Sequence, residues 1–239
     1  MKLRYLKGIF RTHDLRFISA ENVYGDYYTI KLQTPYPMKW ESGQHGAFTL
    51  PGKKVRGKPI RAFTVASVPS ENMILVGTRT GSSISAFKKA LISMQEGDIV
   101  RIRGPLGWFV LRDNTSAIVL LATGVGITPM RSILYALKEN TSRPIHLIHS
   151  SSGFHLFSDE FKALEKGNSQ MKLTFVPNRV EFKEALTAVA LTYSDSAFYY
   201  VSGAPDTVRA TKKLLKGMHI PRNRIITESF MGYSASSIF

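Results

Sequence analysis

AIVLLATGVGITPM (117–130) is the stretch that decides how the second half of this 239-residue chain folds. AIVLLAT (117–123) is a continuous apolar run, as a strand buried on both faces of a parallel sheet requires. Gly124 and Gly126 then allow a tight turn. Pro129 suits a first helical turn, where its missing N–H costs nothing. Strand, glycine turn and helix, in that order, open an α/β unit. The same grammar continues downstream. After the helix PMRSILYALKEN come strand PIHLIHS (144–150), helix DEFKALEK (159–166) and strand KLTFVPN (172–178). Helix EFKEALTAVAL (181–191), strand AFYYVSG (197–203), helix PDTVRATKKLLKGM (205–218) and strand NRIITESF (223–230) complete it. Regular alternation predicts a doubly wound α/β domain with a parallel sheet.

Upstream the pattern is different. YYTIKLQT (27–34), GQHGAFTLPG (43–52), RAFTVASVP (61–69), MILVGTRT (73–80) and DIVRIRGP (98–105) read as short strands closed by Gly, Pro or polar residues. One amphipathic helix, SSISAFKKALISM (82–94), interrupts them, with serines as N-cap candidates. Many short strands and one helix predict a small antiparallel barrel. The boundary between the halves is expected near LRDNTS (111–116).

Composition narrows the function. There are no cysteines, which excludes disulfides, thiolate zinc sites and cysteine-held iron–sulfur clusters on these residues. The six histidines show no metal spacing, so no metal site is expected. No apolar run reaches the roughly 20 residues of a membrane span. MKLRYLKGIFRTHDLRF lacks the apolar core of a secretory signal, so a cytoplasmic location is the default expectation. With 32 basic and 17 acidic residues, the formal charge of +15 favours acidic partners. No recognition motif for nucleic acid accompanies that charge.

The turn at 122–130 sits where such sheets bind ligands, beyond the carboxyl ends of the strands. Gly124 and Gly126 would let backbone approach a pyrophosphate, with free N–H groups at the helix start. A GxG turn alone is equally a tight strand–helix connection, and the third glycine of the common fingerprint is replaced by proline. YYVSGAPDTV (199–208) is a second glycine turn of the same kind. Two such turns fit one elongated dinucleotide. In the first half, Arg61, Phe63 and Thr64 fall close together on one strand. Alternation puts Arg61 and Phe63 on one face and Thr64 on the other.

R-x-aromatic-[S/T] at 61–64, GSSIS at 81–85, GPLGWF at 104–109, GVGITPM at 124–130, VSGAP at 201–205 and E-x-F at 228–230, in that order, resemble the ferredoxin–NADP reductase superfamily. SAFKKAL and FMGY look most like its bacterial flavin oxidoreductases. The resemblance spans about residues 5–233. It implies an α+β and α/β chain of two domains. An N-terminal antiparallel β-barrel domain binding FAD (1–112) would precede a doubly wound parallel-sheet NAD(P)-binding domain (113–239).

It also implies roles for residues. Arg61 would pair with the flavin pyrophosphate, Phe63 stack along the flavin, and Thr64 bond its N5 edge, with Ala62 between them. Thr78 and Arg79 would line the flavin. Gly81, Ser83, Ile84 and Ser85 would form a second pyrophosphate contact, alongside ordinary N-capping. FAD is favoured over FMN because both contacts are to a pyrophosphate. Thr123, Gly124, Val125, Gly126, Thr128 and Pro129 would hold the nicotinamide nucleotide, with Gly203, Ala204 and Pro205 opposite. Ser202 stands where the family often has cysteine. Glu228 and Phe230 match the acidic–aromatic ending, Phe230 as a gate over the flavin. Thr64, Ser202, Glu228 and Phe230 are thus the residues expected nearest the chemistry. Tyr233 or Phe239 would fold back over flavin or adenine. Ser150 and Ser151, with Arg179, lean the coenzyme toward NADPH over NADH.

The implied activity is hydride transfer from NAD(P)H to FAD, then electron transfer to an acidic ferredoxin- or flavodoxin-type carrier steered by Lys53, Lys54, Arg56 and Lys58. Three alternatives stay open: a ferric or siderophore reductase, a reductase subunit of a larger redox complex, and a non-catalytic flavin- or nucleotide-binding module.

Overall fold

A computed structural model describes residues 8, 10–35 and 38–230 of the chain. It divides into two compact units, Met1–Val110 and Leu111–Phe239. The first holds a six-stranded antiparallel sheet of strands β1 (Thr12–Tyr24), β2 (Tyr27–Gln33), β3 (His45–Thr49), β4 (Arg61–Thr64), β5 (Met73–Arg79) and β6 (Ile99–Leu106). Their order is β4-β3-β6-β1-β2-β5. The chain after β4 joins the two edges. Val65 N–H donates to Gln44 O at 2.9 Å, and Ala66 N–H donates to Leu75 O on β5 at 2.8 Å. Ser67 Oγ both accepts from Leu75 N–H and donates to Met73 O. These bonds curl the sheet toward a barrel. They are also why strand-like sequence runs to residue 69 although regular pairing ends at Thr64.

The long strand β1 has no clear signature in the sequence. Its alternation is real, with Leu15 and Phe17 buried between exposed Asp14, Arg16 and Ile18. It breaks at bulges after Phe17 and after Asn22, where the period is lost. Inside the sheet, Leu15, Phe17, Ile30, Leu32, Phe48, Phe63, Ile74, Val76, Val100 and Ile102 form one core. The helix α1 (Ala86–Ile92) adds Phe87 and Leu91 to it. Burial of each such side chain is worth about 1.5–3 kcal/mol. Ser85 caps α1 by accepting Lys88 N–H at 3.3 Å.

The second unit is a five-stranded parallel sheet of β7 (Ala117–Thr123), β8 (Ile145–Ser150), β9 (Met171–Val176), β10 (Ala197–Gly203) and β11 (Ile225–Ser229), in the order β11-β10-β7-β8-β9. Helices α2 (Thr128–Ala136), α3 (Ser158–Gly167), α4 (Arg179–Tyr193) and α5 (Pro205–Gly217) connect the strands. All seven residues of β7 are buried, as a central parallel strand demands. Phe182 and Leu186 of α4 and Val208 and Leu215 of α5 pack on Val119, Leu121, Ile148 and Val201. Buried Arg143 anchors the start of the unit, donating to Asp113 O at 2.8 Å. No helix among the described residues is long and apolar enough to cross a membrane.

Candidate nucleotide and flavin sites

In a parallel sheet, partners in register point their side chains the same way. Register therefore assembles two transverse rows at the carboxyl edge of the second unit. Glu228, Ser202, Ala122, His149 and Phe175 form one, across β11, β10, β7, β8 and β9. Ser229 and Gly203 lie in the next, as do Thr123, Ser150 and Val176. The strand order reverses between β10 and β7, and a sheet of this class opens its binding crevice at that point. Thr123, Ser202 and Gly203 sit there.

The glycines at this edge do different jobs. Gly124 has φ +52°, a conformation that favours glycine. It opens the short helical turn Gly124–Ile127 that leads into α2. Gly126 is needed for closeness instead. A Cβ there would lie 2.4 Å from Ser202 O and 2.8 Å from Gly203 Cα. Its absent side chain is thus taken up by β10, not by an approaching ligand alone. Gly203 combines φ +154° with a Cβ position 2.1 Å from Thr123 Oγ1. The result draws β7 and β10 together at their ends.

Thr123 Oγ1 and Ser202 Oγ are both buried with no hydrogen-bond partner among the described residues. Such an orphan costs roughly 1–3 kcal/mol, so each hydroxyl fits a polar ligand atom, Ser202 and Thr123 from successive rows that alternate between the faces of the sheet. Thr128 differs. Its hydroxyl donates to Val125 O at 2.7 Å and starts α2, with Pro129 next. Ala204 is the N-cap of α5 with no side-chain cap bond, and Pro205 follows. Phe230 N–H donates to Gly203 O at 2.9 Å, extending the pairing of β11 past Ser229. Glu228 is half-buried in register with Ser202. Ser150 ends β8 and Ser151 follows it, both buried, whereas Arg179 is exposed at the start of α4. Tyr233 and Phe239 lie outside the described residues.

His149, absent from the expected site, is its most buried polar neighbour, with no exposed surface. Its Nε2 lies 2.9 Å from Gly124 O and its Nδ1 lies 3.1 Å from Nδ1 of His155. Burial, then the neighbouring His155, pushes its pKa down to about 3, so the ring is neutral. A lone histidine in a strand carries no local sign of such a role.

In the first unit, Arg61 and Phe63 do share a face. The Arg61 guanidinium stands 5.9 Å over the Phe87 ring, and Phe63 is tilted against the same ring at 6.1 Å. Phe48 meets Phe63 edge-on at 5.5 Å, so the Phe63 ring belongs to the core on these sides. Among the described residues Arg61 is hydrogen-bonded only through Nη1, which donates to Lys58 O and Ile60 O at 3.1 Å each. Its remaining N–H groups suit an anion. Ala62 is exposed, and Thr64 Oγ1 is buried without a hydrogen-bond partner among the described residues. Thr78 is buried on β5.

Asp26, in the β1–β2 turn, is a further residue that the sequence pattern does not point to. Its carboxylate accepts Arg79 Nε–H at 3.1 Å and Gly81 N–H at 3.0 Å. Arg79 also lies 4.7 Å over the Tyr27 ring. Lys88 Nζ donates to Arg79 O. The turn carrying Gly81 and the exposed Ser83 is thereby fixed from outside itself. Gly81 has φ +69° with open space around a Cβ, so its backbone angle, not crowding, requires glycine.

Comparison with known proteins fits this geometry. The oxidoreductase NAD-binding domain family model matches residues 120–213. A flavohemoprotein of Deinococcus radiodurans is 26% identical over 225 residues, covering 86% of this chain and 51% of that protein. The reductase component of a propane 2-monooxygenase from Mycolicibacterium goodii is 25% identical over 227 residues, covering 86% of this chain and 64% of that protein. The chain thus spans about half to two thirds of the length of these relatives. A ferredoxin–NADP+ reductase from Plasmodium falciparum superposes with a TM-score of 0.77 at 15% identity, over 92% of this chain and 96% of that one, which shows a common fold. The chain thus matches an oxidoreductase NAD-binding domain over residues 120–213, resembles flavohemoproteins and oxygenase reductase components over most of its length, and shares the fold of ferredoxin–NADP+ reductases.

Proposed function

We propose that the chain is an NAD(P)H-dependent flavoprotein reductase, with FAD held by the first unit and the nicotinamide nucleotide by the second. The observation that carries this reading is the set of buried, unpartnered hydroxyls of Thr64, Thr123 and Ser202, each at a predicted contact position. Bound FAD would supply two-electron acceptance from nicotinamide and one-electron release to a partner. The chain's own residues bind and orient.

Arg61 is the pyrophosphate clamp of the first unit. Its permanently charged planar group keeps donors available after Nη1 has bonded two carbonyls. Thr64 presents its hydroxyl to the flavin. Residues 81–85 offer a second phosphate contact, with Gly81, Ser83 and Ile84 contributing more than Ser85, whose hydroxyl already accepts the α1 cap bond. In the second unit, the 123–129 turn and the start of α5 at Ala204–Pro205 hold the dinucleotide. Ser202 orients its reactive end, with Glu228 alongside in the same row, and Thr123 holds the nucleotide from the next row. Phe230, whose N–H bonds Gly203 O, would be the aromatic gate. Hydride transfer asks nothing more of the protein than alignment to roughly 3–3.5 Å. No proton need move to or from a side chain in that step.

The electron acceptor is an acidic carrier protein or domain. Exposed Lys54, Arg56 and Lys58 supply the steering charge. Lys53 contributes less, because Asp98 pairs with it at 2.8 Å.

The test is an anaerobic absorbance spectrum of the purified protein, before and after separate additions of NADPH and NADH. A flavin band that bleaches supports the reading, and the relative rates give the coenzyme preference. A protein that neither carries nor takes up FAD overturns it.

A further inference from the structure

The Gly124 carbonyl is a pure acceptor, so the nitrogen 2.9 Å away, His149 Nε2, carries a proton. A neutral ring then leaves Nδ1 as an acceptor. The atom facing it at 3.1 Å, His155 Nδ1, must therefore be the donor. Donation runs one way, from His155 to His149 to Gly124. The two rings meet edge to face at 4.8 Å, and both lie edge-on against Phe175, at 6.3 and 5.0 Å. Gly153, with φ +83°, stands in the loop between the two histidines.

This bracket joins two places that serve opposite ends of a dinucleotide. In doubly wound sheets the turn after the first strand receives the pyrophosphate, and the end of the second strand reads the adenosine ribose. Here Gly124 belongs to the first and residues 150–155 to the second. We infer that His149 and His155 are positioning residues that lock the pyrophosphate turn and the ribose loop into one fixed arrangement, so that neither end of the nucleotide is gripped well without the other. This rests on the nucleotide-binding reading of the second unit.

The lock is not a neutral-pH switch. Protonating His155 fills Nε2 and leaves its Nδ1–H donor in place. Lys162 is the charge felt at His155, and beyond each other and the Gly124 carbonyl the two rings face the uncharged Phe175. Only a proton on His149 would set donor against donor.

Calorimetric titration of the full chain with 2′,5′-ADP and with ADP tests the inference. His149→Phe and His155→Phe should each weaken binding of the preferred probe about tenfold, the scale of one lost hydrogen bond at the upper end. The double variant should be no worse than His149→Phe alone. His149→Gln, whose amide can still donate to Gly124 O, should recover most of the affinity. If folded single variants bind like the wild type, the lock is refuted while nucleotide binding stands. If the wild type binds neither probe, the nucleotide reading fails and the lock with it. Should His149→Phe not fold, half-buried His155→Phe decides alone. Imidazole nitrogen NMR of the wild type gives a second, independent test. A neutral His149 protonated at Nε2 supports the lock, and one protonated at Nδ1 overturns it.

Discussion

Replacing Gly126 by alanine tests the closeness of β7 and β10 directly. The added Cβ would stand 2.4 Å from Ser202 O, 2.6 Å from Ser202 C and 2.8 Å from Gly203 Cα. All three are backbone atoms of a strand bonded to β7 on one side and β11 on the other. No rotamer change relieves the clash, so roughly 1 Å of backbone separation must open in a close-packed interior. Overpacking of this kind costs about 1–3 kcal/mol. Stiffening the unfolded chain returns up to about 1 kcal/mol. With the full return the net loss reaches about 2 kcal/mol at the upper end, where the all-backbone contacts put it, and a loss of 2 kcal/mol lowers Tm by about 4–8 °C. The assay is thermal unfolding of the full chain by far-ultraviolet circular dichroism. Trp40 and Trp108, the two tryptophans, lie in the first unit, so fluorescence reports that unit as an internal control. Gly217→Ala is the matched comparison. Nothing lies within 4 Å of its Cβ, and it should be neutral or slightly stabilising. Coenzyme affinity of Gly126→Ala should also fall, because the strand ends splay. A Gly126→Ala protein as stable as Gly217→Ala would mean that β10 does not press on this turn.

Thr64→Val and Ser202→Ala each remove a buried, unpartnered hydroxyl. Both should raise the melting temperature of ligand-free protein while weakening FAD or nucleotide binding about 3- to 10-fold; parallel changes in the two readouts would contradict the assignment. Arg61→Lys keeps the charge but loses the planar fork, and should weaken FAD retention at least about tenfold, measured as flavin released on dilution. His149 gives a pH dependence. Its pKa is 6.5 in an unfolded chain and about 3 in the fold. Between these values the unfolded chain binds the extra proton, so stability is full above about pH 6.5 and falls as pH drops, by up to roughly 1.4 kcal/mol per unit. Urea midpoints at pH 7 and pH 5 should differ less for His149→Gln than for the wild type. Equal differences would show that His149 does not set this dependence.

Local pattern made most of the fold legible. β7 announces itself because a strand covered on both faces has no polar alternation to confuse it, and each glycine turn is punctuated within a few residues of its strand. Thr64, Thr123 and Ser202 came forward through the family resemblance, at or next to strand ends, and their buried, unpartnered hydroxyls are what the structure adds. What was not readable depends on distant partners. Gly126 looks like any ligand-facing glycine until β10 is laid against it. Asp26 is one acid in a hairpin turn, and nothing nearby says that Arg79 and Gly81 need it. His149 and His155 have no common period, because a loop folding back on itself brings them together. β1 hid behind its two bulges, which shift the alternation that defines a strand.

The Asp26 contacts bear on the order in which the first unit assembles. They span 53 and 55 residues of chain. Asp26 immediately precedes Tyr27, and Tyr27 opposite Arg79 is the terminal rung of the β2–β5 ladder that begins at Gln33 opposite Met73. The turn at 79–81 thus reaches its final shape only when that ladder has zipped to its end in the correct pairing. A slip of one residue would carry Asp26 away from both partners. Correct register along the whole ladder is thus a condition for the ion pair beside its last rung.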